Sequence, residues 1–561
     1  MRYASLLILL IPFMVLSQNP YPQDYFRKPL DIPLVLSGTF AELRSNHFHS
    51  GLDIKTQQRQ GLKVYTAAKG HVSRIKIAHG GYGKALYITH PNGYTSVYAH
   101  LQKFAPKIEE YVKKQQYEQE SYTIELFPKA EELRLETDEV VAYSGNSGSS
   151  GGPHLHFEIR DKQERPINPM MFGIDTKDTR KPMLLRAFAY PIDESSHVNQ
   201  TNKRTELRLI PISNGQYKVE EISAYGKIGF GVVSYDQQDM APNKNGVSNI
   251  ETTFNGSNSL EIDFKRFSFG ETKHLNRLVD YGFWKTRKSR IQKLFIEANN
   301  PLSLYKRAEN NGYVTIEDET SSVYKVKITD YKGNETWLTI PIRGKLSDDI
   351  EPRTKRITEH FIRVNQFNEL EKDNIRVSFP NNTFYDDFYI DFDVQNDTLK
   401  LHEPIIPAQK YFYINFDISH YNGPDKEKLY VASVSKYGKT YYTRSELKGN
   451  ILTGTTKSLG TYTLAIDDEK PTIRPINFKE GKWLSKYRYL KVEIDDKNSG
   501  IDSYRATING KWILMEYDYK RKSLVYDFND NVVLDTKNIL KIIVTDKTGN
   551  SSTFEATFYR K

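Results

Sequence analysis

Short segments in which polar and apolar residues alternate recur along most of this chain. Residues 72–77 and 85–88 show the pattern early, and residues 388–394 and 411–416 show it again much later. Because successive side chains of a β-strand point to opposite faces, a period of two predicts half-buried strands. The 38 tyrosines and 28 phenylalanines favour strands as well. We therefore expect a mainly β fold.

The length of the chain predicts several domains, since 561 residues are too many for one hydrophobic core. Residues 18–175 are expected to form the first of them, an antiparallel β domain rich in glycine. A charged, glutamine-rich insertion at about 104–136 interrupts this domain, and its pattern is helical over 108–120. The insertion is either a wall of a binding groove or a surface excursion.

An internal repeat organises the remainder of the chain. Residues 325–334, KVKITDYKGN, match residues 541–550, KIIVTDKTGN. The shared Asp-x-x-Gly-Asn suits a tight turn between strands, and calcium binding by its aspartates, Asp330 and Asp546, is the alternative. Three β-sandwich-like domains are expected at 176–346, 347–467 and 468–561. The first and last of these resemble immunoglobulin-like domains.

The composition excludes several kinds of chemistry. The chain has no cysteine, so a metal ion would have to be held by histidine, aspartate or glutamate. The net charge of +9 is small for this length, and lysine and arginine form no concentrated tract. No nucleic-acid partner is therefore expected.

The N-terminal residues 1–17 resemble a signal peptide. Arg2 precedes an apolar run over 6–16, and the small Ser17 stands before a polar segment. A run of about 11 apolar residues is too short to span a bilayer. We expect cleavage near Ser17, no stable membrane span afterwards, and export to the periplasm or cell envelope, with full secretion as the alternative.

Closely spaced histidines carry the candidate chemistry. Alternation around residue 156 places His154, His156 and Glu158 on one face of a strand and the apolar residues between them on the core face. His49 and Asp53 are four residues apart, and a turn between them allows both to share one ion. With one strand histidine they make a His-His-Asp set that leaves a tetrahedral position open, the pattern of catalytic zinc. A nearby unligated histidine would move protons.

These segments resemble the lysostaphin/LytM-type zinc metallopeptidase family, whose members cleave peptidoglycan cross-bridges or stem peptides. The resemblance covers about residues 35–170. It rests on three motifs in order: His49-x-x-x-Asp53, Tyr98-x-His100-Leu101 and His154-x-His156.

The resemblance implies a role for each of five residues. Zinc would be held by His49, Asp53 and His156. His154 would act as general base or orient the attacking water, and His100 would stabilise the oxyanion or move protons.

Other polar residues keep two interpretations each. Glu158 either orients a ligand histidine or is an ordinary polar strand position. Tyr98 either donates to a tetrahedral intermediate or packs in the core. His47 either serves as an alternate ligand or shapes its loop. The remaining histidines of this region are expected to be structural or at the surface: His71, His79 and His90.

The leading expectation is a zinc-dependent endopeptidase that hydrolyses peptide bonds in peptidoglycan cross-links. Its β domains would be spacers, autoinhibitory elements, or docking surfaces for the wall or for envelope proteins. One alternative is a non-enzymatic peptidoglycan-binding envelope protein that activates or recruits another hydrolase. Another is a protease acting on other proteins. The complete ligand set favours the enzyme.

Overall fold

The computed structural model describes residues 19–354 and 356–561, and the expected signal peptide, 1–17, lies outside them. The fold is mainly β, as the alternating pattern predicts. Within the described residues, every helix is too short or too polar to cross a membrane. The four expected domains are named first to fourth in chain order.

The first domain is an antiparallel sheet with a helix inserted. Its elements are β1 (Leu36–Gly38), β2 (Leu52–Lys55), β3 (Lys63–Tyr65), β4 (Gly70–Ile77), β5 (Lys84–Thr89), β6 (Thr95–Ala99), β7 (Lys103–Phe104), α1 (Pro106–Glu118), β8 (Ile124–Leu126), β9 (Arg134–Leu135), β10 (Val140–Tyr143), β11 (His154–Arg160) and β12 (Pro166–Ile167).

Strand β11 lies at the centre of this sheet. The strand order is β1-β2-β11-β6-β5-β4-β8, and β11 runs antiparallel to both neighbours. Leu155, Phe157 and Ile159 of β11 are fully buried in the core. The alternation therefore directs the histidines of β11 to the opposite face, between β2 and β6.

The insertion extends the sheet. Helix α1 begins at Pro106, whose missing N–H suits the first helical turn, and it buries Ile108 and Val112. Strands β8 and β9 that follow both pair with β4 at the edge of the sheet. The insertion is thus packed on the domain.

The second domain follows without a break in the core. Its elements are β13 (Met183–Pro191), β14 (His197–Val198), β15 (Thr205–Leu207), β16 (Leu209–Ser213), β17 (Gln216–Val219), β18 (Ile222–Tyr235), β19 (Asn249–Phe254), β20 (Ser257–Asp263), α2 (Leu275–Leu278), α3 (Tyr281–Arg287), β21 (Gln292–Lys293), β22 (Tyr305–Ala308), β23 (Val314–Ile316), β24 (Ser321–Thr329) and β25 (Glu335–Gly344). Phe267 contacts Phe40 and Phe48 of the first domain, with ring centroids 5.1 and 5.4 Å apart. Buried side chains of both domains form one cluster, so a boundary near residue 175 stays a prediction.

The third and fourth domains each enclose a core of their own. The third contains β26 (His360–Ile362), β27 (Asn368–Lys372), β28 (Ile375–Phe379), β29 (Phe388–Ile390), β30 (Phe392–Gln395), β31 (Thr398–Leu401), β32 (Phe412–Asp417), β33 (Leu429–Val434), β34 (Thr440–Tyr442), β35 (Ser445–Lys448), β36 (Ile451–Thr456) and β37 (Gly460–Ile466). The fourth contains β38 (Thr472–Pro475), β39 (Lys482–Trp483), β40 (Tyr489–Asp495), β41 (Ile501–Ile508), β42 (Lys511–Trp512), β43 (Met515–Asp518), β44 (Ser523–Asp527), β45 (Lys537–Asp546) and β46 (Ser551–Tyr559). In each, strands of two main sheets contribute to the core.

The repeated Asp-x-x-Gly-Asn segment is a turn in both copies. Asp330 Oδ1 accepts a hydrogen bond from the backbone N–H of Asn334 at 2.9 Å, and Asp546 Oδ1 accepts one from Asn550 at 2.8 Å. The glycines in these turns have φ of +82° and +79°, a conformation that other residues rarely adopt. The turn role expected from the sequence is therefore present twice.

The fourth domain folds back onto the first. Lys84 of β5 is buried and pairs with Glu516 of β43 at 2.8 Å. The Tyr117 hydroxyl of α1 donates to Asp530 at 2.8 Å, and its ring lies 5.2 Å from that of Trp512. The inserted helix is thus a docking surface for the end of the chain.

Candidate metal centre

Three side chains converge on the polar face of β11. His49 precedes β2, Asp53 lies on β2, and His156 lies on β11 directly opposite Asp53. The His49 Nε2 atom is 2.9 Å from Asp53 Oδ1 and 3.1 Å from His156 Nδ1, and the last two atoms are 3.0 Å apart. All three residues are buried.

Each histidine of this group has one nitrogen held by the protein. His49 Nδ1 donates to the carbonyl oxygen of Thr39 at 2.7 Å, and His156 Nε2 donates to Glu158 Oε1 at 2.7 Å. In the neutral form that binds a metal ion, the other nitrogen of each ring would carry a lone pair facing the centre of the group. Burial raises the pKa of Asp53, but His49 and the other hydrogen-bonded histidines hold it well below its usual range.

The donor set fits a zinc ion. Ligand bonds of about 2.0–2.1 Å in tetrahedral geometry put neighbouring donor atoms about 3.3 Å apart, close to the distances found here. The donor atoms of His49, Asp53 and His156 lie within 4.8 Å of one another. Two imidazoles and one carboxylate leave a position open, which is typical of catalytic rather than structural zinc sites.

Two further histidines border the group. His154 Nε2 lies 3.4 Å from Asp53 Oδ1, while His154 Nδ1 donates to the carbonyl of Gly152 at 2.9 Å. His100 Nδ1 donates to the carbonyl of Ser147 at 2.9 Å, and the His100 and His154 rings are 4.7 Å apart. In the neutral form of each ring, these bonds leave the lone pair on Nε2. Burial and the nearby charges of His156 and His154 lower the pKa of His100 to about 3.

His100 has an unusual backbone conformation. It follows the last residue of β6 and has φ of +59°. The left-handed region is uncommon for residues other than glycine, and such strain concentrates at functional sites. This conformation turns the His100 ring beside that of His154, and no periodic pattern in the sequence indicates it.

Glu158 lies behind the candidate ligands, fully buried. It accepts hydrogen bonds from His156, from the Ser50 hydroxyl at 2.6 Å, from the Tyr82 hydroxyl, and from Arg160 Nε at 2.7 Å. Burial raises the pKa of Glu158, but Arg160 and His156 hold it well below its usual range. Of the two interpretations, the contacts favour the one in which Glu158 orients His156.

Other polar residues of the motifs lie away from the group. Tyr98 is fully buried in the core, and its hydroxyl accepts from the Ala67 N–H at 2.7 Å, so it packs. His47 is exposed and bonds to its neighbour Asn46. His90 is buried between the Lys69 carbonyl and the Ser96 hydroxyl.

Contributors missed by sequence reasoning include Thr39, Arg44 and Ser50. Arg44 Nη2 donates to Asp53 Oδ2 at 3.0 Å. These residues belong to irregular segments without periodicity, and Thr39 acts through its backbone carbonyl, which any residue type supplies. Their roles arise from tertiary contacts alone.

The loop before β11 is held by the fourth domain. Lys520, in the turn between β43 and β44, donates through Nζ to the carbonyls of Asn146 and Ser150 at 2.5 and 3.0 Å. The adjacent Tyr519 hydroxyl lies 3.5 Å from Ser149 Oγ. Because this loop leads directly to His154, the fourth domain contacts the segment next to the candidate metal centre.

Replacing Lys520 with alanine is expected to free this loop. Loss of two charge-assisted hydrogen bonds should speed amide hydrogen exchange over residues 146–150 by about tenfold. Lys522→Ala is the matched control, because Lys522 pairs with Asp495 inside the fourth domain. Hydrogen exchange with mass spectrometry measures the effect, and equal exchange in both variants would contradict it.

Comparison with known proteins agrees with this geometry. Residues 47–117 match the model of peptidase family M23, and the first domain is an M23 peptidase domain. The matched range includes His49, Asp53 and His100 and ends before β11. Residues 359–467 match the model of a Zu5-like domain, within the range expected for the third domain.

Curated relatives match only part of this chain. The DD-carboxypeptidase/endopeptidase Mpg of Neisseria meningitidis serogroup B is 29% identical over 178 residues, 31% of this chain and 33% of that protein. The peptidoglycan DD-endopeptidase ShyB of Vibrio cholerae is 26% identical over 156 residues, 28% of this chain and 30% of that protein. The chain thus spans about a third of the length of these relatives.

Among solved structures, the catalytic domain of the prophage-encoded M23 protein EnpA from Enterococcus faecalis is similar to part of the chain. It is 19% identical, with a TM-score of 0.20 over 26% of this chain and 98% of that one.

Proposed function

We propose that this chain is a zinc-dependent endopeptidase that hydrolyses peptide bonds in peptidoglycan cross-links. The main support is the convergence of His49 Nε2, Asp53 Oδ1 and His156 Nδ1 within 3.1 Å of one another. The names of the M23 relatives bring in peptidoglycan as the substrate. Peptidoglycan lies outside the cytoplasmic membrane, which agrees with the signal peptide expected at 1–17 and a site of action in the periplasm or cell envelope.

His49, Asp53 and His156 would hold the ion. Bound zinc supplies a Lewis acid that polarises a carbonyl and makes water more acidic. Asp53 stays ionised because its pKa is held low, and Arg44 fixes its second oxygen. Glu158 fixes the tautomer of His156 and its ring orientation.

His154 is the general base of this proposal. Its Nδ1–H is donated to the Gly152 carbonyl, so the basic lone pair is on Nε2, which faces the ligand group. That nitrogen accepts a proton from the attacking water and returns it to the leaving amine.

His100 is placed in this proposal as a hydrogen-bond acceptor beside His154, since neither oxyanion stabilisation nor proton transfer suits its contacts and its pKa. An oxyanion needs an N–H donor, but the His100 Nδ1–H is already donated to Ser147. With a pKa lowered to about 3, His100 Nε2 is unprotonated at neutral pH. Its lone pair can therefore accept a hydrogen bond next to His154, whereas the low pKa makes His100 a weak base.

Replacing His154 with alanine tests the proposal. We expect zinc content to stay near that of wild type, because the three ligands remain, and cleavage to fall by about 100- to 10,000-fold, the usual contribution of a general base. Isolated sacculi are the substrate, muropeptides are identified by mass spectrometry, and zinc is measured in the same samples. His71→Ala, a partly exposed histidine of β4, is the control.

The outcomes separate the alternatives. Conversion of cross-linked dimers to monomers by wild type, but not by His154→Ala, supports the endopeptidase. Wild-type protein that binds sacculi and releases nothing would instead favour the non-enzymatic envelope protein. If the wild-type protein cleaves a glycine-rich protein but leaves sacculi uncleaved, the result would favour the general protease.

A further inference from the structure

Three carboxylates meet in the second domain, away from the metal centre. Asp178, Asp236 and Asp330 each offer an oxygen within 4.8 Å of the others. They come from separate parts of the chain: the segment that leaves the first domain, the residue after β18, and the turn between β24 and β25. Tertiary folding, rather than local sequence, brings them together.

Neutral groups contact two carboxylates of this cluster: Asp330 accepts from the Lys332 and Asn334 N–H groups, and Asp178 accepts from the Arg180 N–H. Among the described residues, none of the three carboxylates forms an ion pair with lysine or arginine. Asp236 and Asp330 are only 5% and 4% exposed. Burial, with the charges of Asp330 and Asp178, raises the pKa of Asp236 to about 8. Buried carboxylates in this position require a proton or a cation.

The side-chain amide of Asn245 favours a cation over a shared proton in this cluster. Asn245 pairs with Asp236 through both backbone hydrogen bonds, at 2.9 and 2.8 Å, so the two side chains leave the same face of the ladder. Asn245 is 3% exposed, yet its Oδ1 and Nδ2 both lack a hydrogen-bond partner among the described residues, and so does Asp236 Oδ1. A proton shared between carboxylates leaves the Asn245 amide oxygen unused, whereas a cation takes it as a further ligand.

We propose that Asp178, Asp236, Asp330 and Asn245 bind a calcium ion. All of the donors are oxygens, which hard cations prefer, and their irregular placement from separate segments suits calcium, which tolerates six to eight ligands in flexible geometry. Magnesium needs a nearly ideal octahedron and suits this arrangement less well.

A calcium ion at this site would link the two ends of the loop 237–244, which contacts the segment before the candidate metal centre. Residues 237–244 lie between Asp236 and Asn245, and the Gln238 side chain accepts from the Leu36 N–H of β1 at 2.8 Å. The next residue, Gly246, donates its N–H to the Thr39 hydroxyl at 2.9 Å. The Thr39 carbonyl accepts a hydrogen bond from His49 Nδ1. The proposed ion would therefore stabilise the segment that orients the His49 ring.

Calcium binding is measured directly on the full-length protein. Metal-free wild-type protein and the Asp236→Asn variant are titrated with calcium by calorimetry, with magnesium as comparator, and melted with and without about 10 mM calcium chloride. That concentration is roughly 10–100 times the dissociation constant of extracellular calcium modules. We expect wild type to gain roughly 3–10 °C in Tm. The variant should bind one equivalent fewer and gain less.

The Asp236→Asn variant also tests whether repulsion between the three carboxylates destabilises the calcium-free protein. Without calcium, Asp236→Asn removes carboxylate repulsion, so its Tm should equal or exceed that of wild type, and calcium should reverse the order. Asp239→Asn, in the same loop but outside the cluster, is the control and should behave as wild type. The number of calcium ions bound per chain is compared between the variant and wild type. The difference belongs to this site and not to the other acidic cluster, which is formed by Asp467, Asp496 and Asp546.

Two results would overturn the proposal. One is equal calcium stoichiometry in wild type and Asp236→Asn. The other is a variant destabilised equally with and without calcium, which indicates a purely structural side chain. The measurement is repeated in a His156→Ala background, where calcium stabilisation should persist. This separates failure of the calcium site from failure of the zinc peptidase proposal.

Discussion

The His156→Ala variant is expected to lose both zinc and sacculus cleavage. His156 supplies Nδ1 at the centre of the ligand group, 3.1 Å from His49 Nε2 and 3.0 Å from Asp53 Oδ1. Two ligands from His49 and Asp53 hold zinc poorly, since catalytic sites use three. A loss of about 4 kcal/mol of transition-state stabilisation corresponds to about a 1,000-fold fall in kcat/KM. Metal analysis and muropeptide release measure the two effects.

Two comparisons make this result specific. His47→Ala should retain zinc and activity, because His47 is exposed and outside the ligand group. His154→Ala should retain zinc and lose activity. The proposal fails if His156→Ala still binds one equivalent of zinc with wild-type affinity, or if His47→Ala loses it.

The strand β11 is the part of the site that sequence reasoning predicts best. Alternation alone places His154, His156 and Glu158 on one face, and the structure has this arrangement with the intervening residues buried. The pattern is sufficient because strand geometry relates residues two apart directly. The pairing of Asp53 with His156 needs the strand order, which the alternation does not contain.

Contacts between distant segments are what the sequence could not supply. Lys520 reaches the loop before β11 from about 370 residues away, as the spacing to Ser150 shows. Asn245 faces Asp236 only because a bridge closes the loop between them. The shared core of the first and second domains also cannot be predicted from the sequence. An apolar residue has the same sequence pattern whether it packs within one domain or between two.

Replacing Arg160 with methionine is expected to destabilise the first domain by about 3–5 kcal/mol. Arg160 Nε donates to Glu158 Oε2 at 2.7 Å, and both side chains are buried. The guanidinium compensates a carboxylate that is removed from water, so its loss leaves an unbalanced buried charge. Methionine keeps much of the volume, which limits the effect of an empty cavity. Urea unfolding at neutral pH measures the change, and Glu164→Gln, which removes the exposed partner of Arg160, should change stability by less than about 0.5 kcal/mol.

The pH dependence of Arg160→Met distinguishes lost charge compensation from lost packing. In wild type the pKa of Glu158 is lower in the folded than in the unfolded state, so its contribution is present above the unfolded pKa and is lost as the pH falls below it. Arg160 is the largest of the effects that lower the pKa of Glu158 against the effect of burial. Without Arg160, the pKa of Glu158 in the folded state therefore rises. The stability difference between wild type and variant should therefore be larger at pH 7 than at pH 4. A difference that is the same at both pH values would mean that Arg160 stabilises the domain mainly through its contacts with neighbouring side chains, such as the Phe269 ring 4.6 Å away.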